Sequence, residues 1–248
     1  MNTIKTTGFI IRATTVGDYN KMLTVISPSL GKISVWAKGV KSMRSKSGAA
    51  VSPLCYSEFV LTKKGDAYTL SQASLIENFY HLRESVRKLA YAMYFAELTG
   101  LLTEEMMAAD DILKLLLNTL HYLERDKKSP EELRGIFELK IACCSGFTPC
   151  AACCVSCGED AGWFDVRAGG TVCGECRSES AIEISKPALE LMRFYIGGRL
   201  YDVLTKSVDT SALEEVLRIS EDFLAEQIDR KIPTLDYLKK VISDPVFE

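Results

Sequence analysis

Two Cys-x2-Cys units, CVSC at 154–157 and CGEC at 173–176, stand fifteen residues apart, and nothing else in the chain restricts its fold as strongly. Each unit can wrap a tight turn around one metal ion and supply two thiolates. Cys154, Cys157, Cys173 and Cys176 would then complete a closed tetrahedral zinc site with Zn–S of about 2.3 Å. Four protein ligands leave no position for a substrate, so the expectation is one structural Zn2+ ion. Gly158 follows the second ligand and Gly174 lies inside the second unit, where a backbone wrapping thiolates often needs positive φ. Between the units, GWFDVRAGGTV reads as a short β-hairpin turning at Gly169-Gly170.

The run CAACCVSC also offers Cys150 and Cys153 as a pair, so spacing alone leaves two ligand registers. The trailing glycine and the familiar gap favour Cys154 and Cys157. PCAAC resembles the second half of a zinc deaminase signature, whose first half is an upstream His-x-Glu or Cys-x-Glu. Neither His81 nor His121 supplies it, and the only Cys-x-Glu, Cys173-Gly174-Glu175, lies downstream. Phosphate loops, nucleophile elbows and HExxH helices are absent as well, so no catalytic residue is assigned. YAMYF and RFYIG place their apolar residues at helical spacing and read as core.

With 248 residues, 47% apolar and 25% charged, the composition is that of an ordinary globular chain with room for a sizeable core. MNTIKTTGFIIRATT lacks the apolar run of a signal peptide, and LAYAMYFAELTGLL is too short to span a bilayer and carries Glu97, so a cytoplasmic protein is expected. Nine cysteines in a reducing compartment point to metal rather than disulfides. The net charge of −3 hides a partition. Residues 1–65 hold ten Lys or Arg against Asp18 and Glu58, a net +8, which leaves twenty basic and thirty-one acidic residues, a net −11, in 66–248. A basic head on an acidic body suggests nucleic acid at the head.

TTGFIIRA, KMLTVIS, GKISVWAK, YSEFVLTK and AYTLSQA read as five short strands, with turns at 16–20, 28–31 and 64–66. Five strands in about seventy residues suit an OB-fold barrel, with a β-sandwich as the alternative. After Asn78 the period becomes helical: Leu82 to Leu102, Ile112 to Leu123, Pro130 to Ser145, Pro187 to Ile196, Ala212 to Gln227 and Leu235 to Val241. The expected class is α+β and multidomain. An OB-fold domain (1–78) precedes a helical body (79–148 and 181–248), into which a zinc subdomain (149–180) is inserted.

Period two puts Ile33, Val35 and Ala37 on one face of GKISVWAK and Lys32, Ser34, Trp36 and Lys38 on the other. Bases could stack on the indole while lysines meet phosphates, or Trp36 could simply pack on the helical body. The following AKGVKSMRSKSG carries Lys38, Lys41, Arg44 and Lys46 with no acidic residue, as suits a loop tracking a phosphate backbone or a solubilising tip.

These features resemble a family. Gly8-Phe9, Gly17, Gly31-Lys32 and AKG at 37–39, with the GFTP turn before CVSCG and GGTVCGEC closing the metal unit, are similar to the zinc-bearing members of the bacterial recombination mediator family RecO. The likeness spans most of the chain and thins after about residue 200; Asp18-Tyr19-Asn20 departs from a pattern in which an acidic residue and Asp are frequent. The resemblance implies an OB-fold, a helical body and a zinc subdomain in a non-enzymatic protein of DNA repair, the RecFOR pathway and the nucleoid. It further implies binding of single- and double-stranded DNA, strand annealing and, with RecR, loading of RecA onto DNA coated by single-strand binding protein. On that reading Lys32, Trp36, Lys38, Lys41, Arg44 and Lys46 are the DNA contacts. The acidic, apolar tail of single-strand binding protein would then meet cations such as Arg134, Lys140, Arg193 or Arg199 on the helices. A zinc-containing RNA-binding or transcription-associated protein is the alternative, and a zinc hydrolase or deaminase a remote one.

Overall fold

The computed structural model describes residues 2–41, 47–244 and 246. Strands β1 (Asn2–Val16), β2 (Asn20–Ser27), β3 (Gly31–Ala37), β4 (Tyr56–Lys64) and β5 (Ala67–Glu77) close into a barrel in the order β1-β2-β3-β5-β4, with β3 and β5 parallel and the other pairs antiparallel. The five-stranded OB-type barrel expected from the strand spacing is therefore present. Its core is built from Ile10, Leu23, Val25, Ile33, Val35, Phe59 and Leu61, the inward set that period two selects along each strand.

β1 is fifteen residues long, far beyond the TTGFIIRA stretch that alternation picks out. Its first half pairs with β4, from Asn2↔Lys63 to Phe9↔Tyr56, and its second with β2, from Phe9↔Ile26 to Val16↔Asn20. The register shifts between Ile10 and Arg12, as it does at a β-bulge, which bends a strand and re-aims its side chains. Phe9 and Ile10 are fully buried while Ile11 is only half-buried.

Packing groups the chain differently from the strand-to-helix change at 78/79. One compact unit holds residues 1–120 and 232–248, and the other holds 121–231. Within the first unit, helix α1 (Val86–Leu102) starts at Ser85, whose side chain accepts from the Lys88 N–H, and it buries Tyr91, Tyr94, Phe95 and Leu98. Ile11 fills the space that a Cβ on Gly100 would need. Helix α2 (Asp110–Glu124) begins in this unit, after a connection hydrogen-bonded to the β2–β3 turn through Lys32 N to Glu104 O (3.2 Å) and Ala109 N to Pro28 O (2.9 Å). Helix α7 (Pro233–Ser243) also belongs here: the Thr234 N–H donates to Glu97 Oε2 on α1 at 3.0 Å.

The second unit contains the end of α2, α3 (Pro130–Cys144), a small sheet of β6 (Trp163–Asp165), β7 (Gly170–Val172) and β8 (Ile182–Glu183) in the order β7-β6-β8, then α4 (Lys186–Gly197), α5 (Leu200–Thr205) and α6 (Leu213–Gln227). Ser129 caps α3 by accepting from the Glu132 N–H, Pro130 opens it, and every residue from Glu132 to Leu139 is buried. α5 and β8 escaped the period analysis because six and two residues are too few to display a period. No helix among the described residues is long and apolar enough to cross a membrane.

Gly31 is where the barrel and the 103–109 connection press most closely. Its φ is +65°, and a Cβ there would stand 2.7 Å from Glu104 O and closer still to Met107 O. Gly31→Ala should cost about 1–3 kcal/mol, read as a lower urea midpoint at unchanged slope. An unchanged midpoint would contradict this account of the turn.

Candidate metal centre and nucleic-acid face

In the second unit, the sulfurs of Cys154, Cys157, Cys173 and Cys176 all lie within 4.8 Å of one another, and Cys157 Sγ stands 3.6 Å from Cys173 Sγ. Sulfurs about 2.3 Å from a central zinc would form a tetrahedron with edges of roughly 3.8 Å, so this donor set fits one ion. The first turn closes through Gly158 N to Cys154 O (2.9 Å) and Cys154 N to Glu159 O (2.8 Å), with Gly158 at φ +83°. The backbone N–H of Cys173, then those of Cys157 and Ser156, lower the Cys154 thiol to about 6. Hydrogen bonding to the Cys173 and Cys157 sulfurs pushes Cys176 up to about 12. Thiols this crowded cannot all ionise unaided, and a divalent cation bound among them would supply the missing positive charge.

Cys150 and Cys153 stand outside this sulfur cluster among the described residues and contribute backbone groups instead. Cys150 N donates to Gly169 O (3.0 Å), its carbonyl accepts from Thr171 N (2.8 Å), and Cys153 O accepts from Thr171 Oγ1 (2.8 Å). A Cβ at Gly170 would lie 2.7 Å from Cys150 Cβ, so only glycine lets the two segments meet.

Asp165 completes the hairpin, a role the motif analysis missed. Its Oδ1 accepts from the N–H of Arg167 (3.0 Å) and Ala168 (3.1 Å), and its Oδ2 from Ser178 Oγ (2.6 Å), just beyond the second cysteine unit. The Ser178 hydroxyl, followed by the backbone donors, holds the carboxyl below its usual range. Asp two and three residues before the donors of a Gly-containing turn is the available sequence signal.

The metal unit is joined to its own helices. Arg193 on α4 donates from Nε to Ala151 O (2.6 Å) and from Nη2 to Ala152 O (2.7 Å). Phe164 meets Phe223 of α6 edge-on at 6.0 Å. The other cations picked out for a partner are also engaged. Arg134 is buried and donates to Glu138 (2.7 Å) and Glu221 (2.6 Å). Lys140 donates to Ile196 O (3.0 Å) and Gly198 O, and burial lowers its pKa. Arg199 pairs with Asp202 at 2.8 Å, yet its side chain remains 84% exposed.

In the first unit, Ile33, Val35 and Ala37 of β3 are buried, while Lys32, Ser34, Trp36 and Lys38 face outward. Trp36 is half-buried, paired with Met22 on β2 and Thr69 on β5. The neighbouring outer row runs Arg12, Thr24, Ser34 across β1, β2 and β3. Lys32 Nζ donates to Gly100 O at the end of α1 (3.0 Å). Lys38 and Lys41 are exposed, whereas Arg44 and Lys46 lie outside the described residues. The start of the basic segment is fixed by Asn20 Oδ1, which accepts from Gly39 N (3.0 Å), and by Tyr19 O, which accepts from Lys41 N (3.2 Å). That places Tyr19, 61% exposed, beside the lysines as a second aromatic surface that strand periodicity did not reveal.

Family models match nearly the whole chain: "Recombination protein O N terminal" over residues 1–79 and "Recombination protein O C terminal" over 83–236. The chain is 30% identical to the DNA repair protein RecO of Acetivibrio thermocellus over 244 residues, covering 96% of this chain and 97% of that protein. It is 32% identical to the DNA repair protein RecO of Alkaliphilus metalliredigens over 244 residues (96% and 99%) and 31% identical to that of Caldicellulosiruptor bescii over 242 residues (96% and 99%).

The metal unit generates two expected outcomes. X-ray absorption on the zinc-loaded protein should show four sulfur neighbours, and Cys173→Ser should lower the thermal midpoint and release metal. Asp165→Asn should cost about 1–3 kcal/mol at neutral pH with the four thiolates untouched. A carboxyl held low contributes stability that is present above its unfolded pKa and lost as pH falls through the lowered value, so the gap between variant and parent should narrow in acid. A gap independent of pH would show that Asp165 stabilises by shape alone.

Proposed function

Because this chain belongs to the RecO family of DNA repair proteins, we propose that it binds single- and double-stranded DNA on its barrel and anneals complementary strands without turning over a substrate. The observation that carries the reading is the outer barrel face. Arg12, Lys32 and Lys38 lie among Thr24, Ser34, Met22 and Trp36 with no carboxylate in either row. Stacking on Trp36 and phosphate contacts to Lys38, Lys41, Arg44 and Lys46 would hold a strand whatever its sequence. Neutralising the phosphates while leaving base edges free lowers the repulsion that keeps complementary strands apart.

In this reading the metal centre is structural. Zinc, held by Cys154, Cys157, Cys173 and Cys176, supplies charge balance and a cross-link, while Asp165, Arg193 and Phe164 set the hairpin on the helices. RecR and the tail of single-strand binding protein are the proposed partners in loading RecA. Arg199 is the proposed cation for the tail, since its side chain stays 84% exposed while paired with Asp202, whereas Arg134 is buried and Lys140 and Arg193 are committed to backbone carbonyls within their own unit.

The test is a salt titration of oligonucleotide binding together with annealing of strands coated by single-strand binding protein, with and without RecR. Each phosphate contact to a single strand contributes about −0.7 to the log–log slope. Replacing Lys38, Lys41, Arg44 and Lys46 by Gln should therefore flatten the slope and reduce annealing. A parent slope near zero, or tighter binding to RNA than to DNA with no annealing, would remove the proposal.

A further inference from the structure

A groove of about 990 Å³ lies in the first unit beside the nucleic-acid face. Arg12, Thr24 and Lys32 line it from the barrel, and Leu89, Met93 and Leu101 from α1. Its floor is aliphatic and thioether, and its rim is cationic. Glu97 also lies in the wall, but its carboxylate already accepts from the Thr234 N–H and hydroxyl. Arg12 is exposed and has no hydrogen-bond or ion-pair partner among the described residues. Met93 is 41% exposed, an unusual position for a large apolar side chain on a helix whose other faces are buried.

Two of these residues belong to a ladder as well as to the groove. Arg12 and Thr24 continue the row that includes Ser34, one row along from Trp36 and Met22; residues two apart on a strand are about 7 Å apart. The cationic outer face of the barrel thus leads into the apolar groove without crossing an unpaired carboxylate. A ligand fitting both parts carries regularly spaced negative charge and flat apolar groups that can leave the stack. Single-stranded nucleic acid has that chemistry.

We propose that a single strand lying across Trp36 and Ser34 turns into this groove, where Arg12 and Lys32 hold its phosphates and one unstacked base rests on Leu89 and Met93. The inference rests on the barrel-face reading and extends it to α1, a helix outside the barrel. Apolar side chains seat unstacked bases elsewhere by the same desolvation, and a thioether adds polarizable contact with the ring. The groove then acts as an end stop that sets where along the strand the protein sits.

The experiment uses the full-length, metal-loaded protein and a dT oligonucleotide carrying single 5-iododeoxyuridine substitutions, with ultraviolet cross-linking and peptide mapping. One position in the oligonucleotide should cross-link to residues 86–102, and Met93→Glu should abolish that cross-link and weaken binding roughly tenfold, within the range for one stacked base. Arg12→Gln should reduce the salt slope by about 0.7, as one lost phosphate contact. Thermal midpoints of both variants identify any folding defect, and Met93→Leu, which keeps the apolar floor, should retain the affinity. If Trp36→Ala and Lys38→Gln weaken binding but Met93→Glu and the cross-link map show nothing at α1, the groove inference fails and the barrel-face reading stands. If none of the four variants weakens binding, both fail. If Met93→Glu spares the oligonucleotide but abolishes capture of an Asp-Asp-Asp-Leu-Phe peptide, the groove is a peptide site and the inference is overturned.

Discussion

The bend in β1 is the constraint on which the first unit depends. One strand pairs with β4 before Phe9 and with β2 after it, and a barrel of five strands closes because this single segment serves both edges. The shift between Ile10 and Arg12 has a second effect. Ile10 is turned into the barrel core and Phe9 packs edge-on against Phe79, while Ile11 is directed to the side where Gly100 leaves room. The irregularity that closes the sheet thereby supplies the contact that seats α1, and with it the connection bonded to the β2–β3 turn.

The metal unit follows another logic. A sheet with strands of three, three and two residues has too little apolar surface to hold itself together. Its order comes from cross-links of different kinds: the four thiolates, the Asp165 carboxylate spanning the turn and Ser178, and the Arg193 guanidinium on the Ala151 and Ala152 carbonyls. A sulfur cluster suited to one metal ion, together with hydrogen bonds, takes here the place that burial has in the barrel.

This contrast explains what could be read in advance. The cysteine spacing and the β3 alternation are local, and Cys154 with Cys157, or Ile33 with Val35, declare their geometry within a few residues. The cations on the helices declare only their local partners, Glu138 for Arg134 and Asp202 for Arg199, and not the remote ones: Arg134 also meets a carboxylate 87 residues away, Lys140 a carbonyl 56 away and Arg193 one 42 away. A basic residue on an acidic helix looks available until the fold delivers its acceptor. Phe9-Ile10-Ile11 misleads for a related reason, since a bulge breaks the period that identifies a strand. Tyr19 was hidden because a turn residue has no face until Asn20 and Gly39 fix the neighbouring segment.

Helix α7 packs in the unit built by residues 1–120, so that unit is assembled from segments that precede and follow the second unit in sequence. On a ribosome the barrel can close early, but the α1 surface that receives Thr234 at Glu97 stays bare until the whole second unit has been synthesised. The nascent protein therefore carries an incomplete first unit for as long as residues 121–231 are being made. Folding of that unit finishes only once α7 has been made, which makes residues 233–243 the last segment added to the barrel unit.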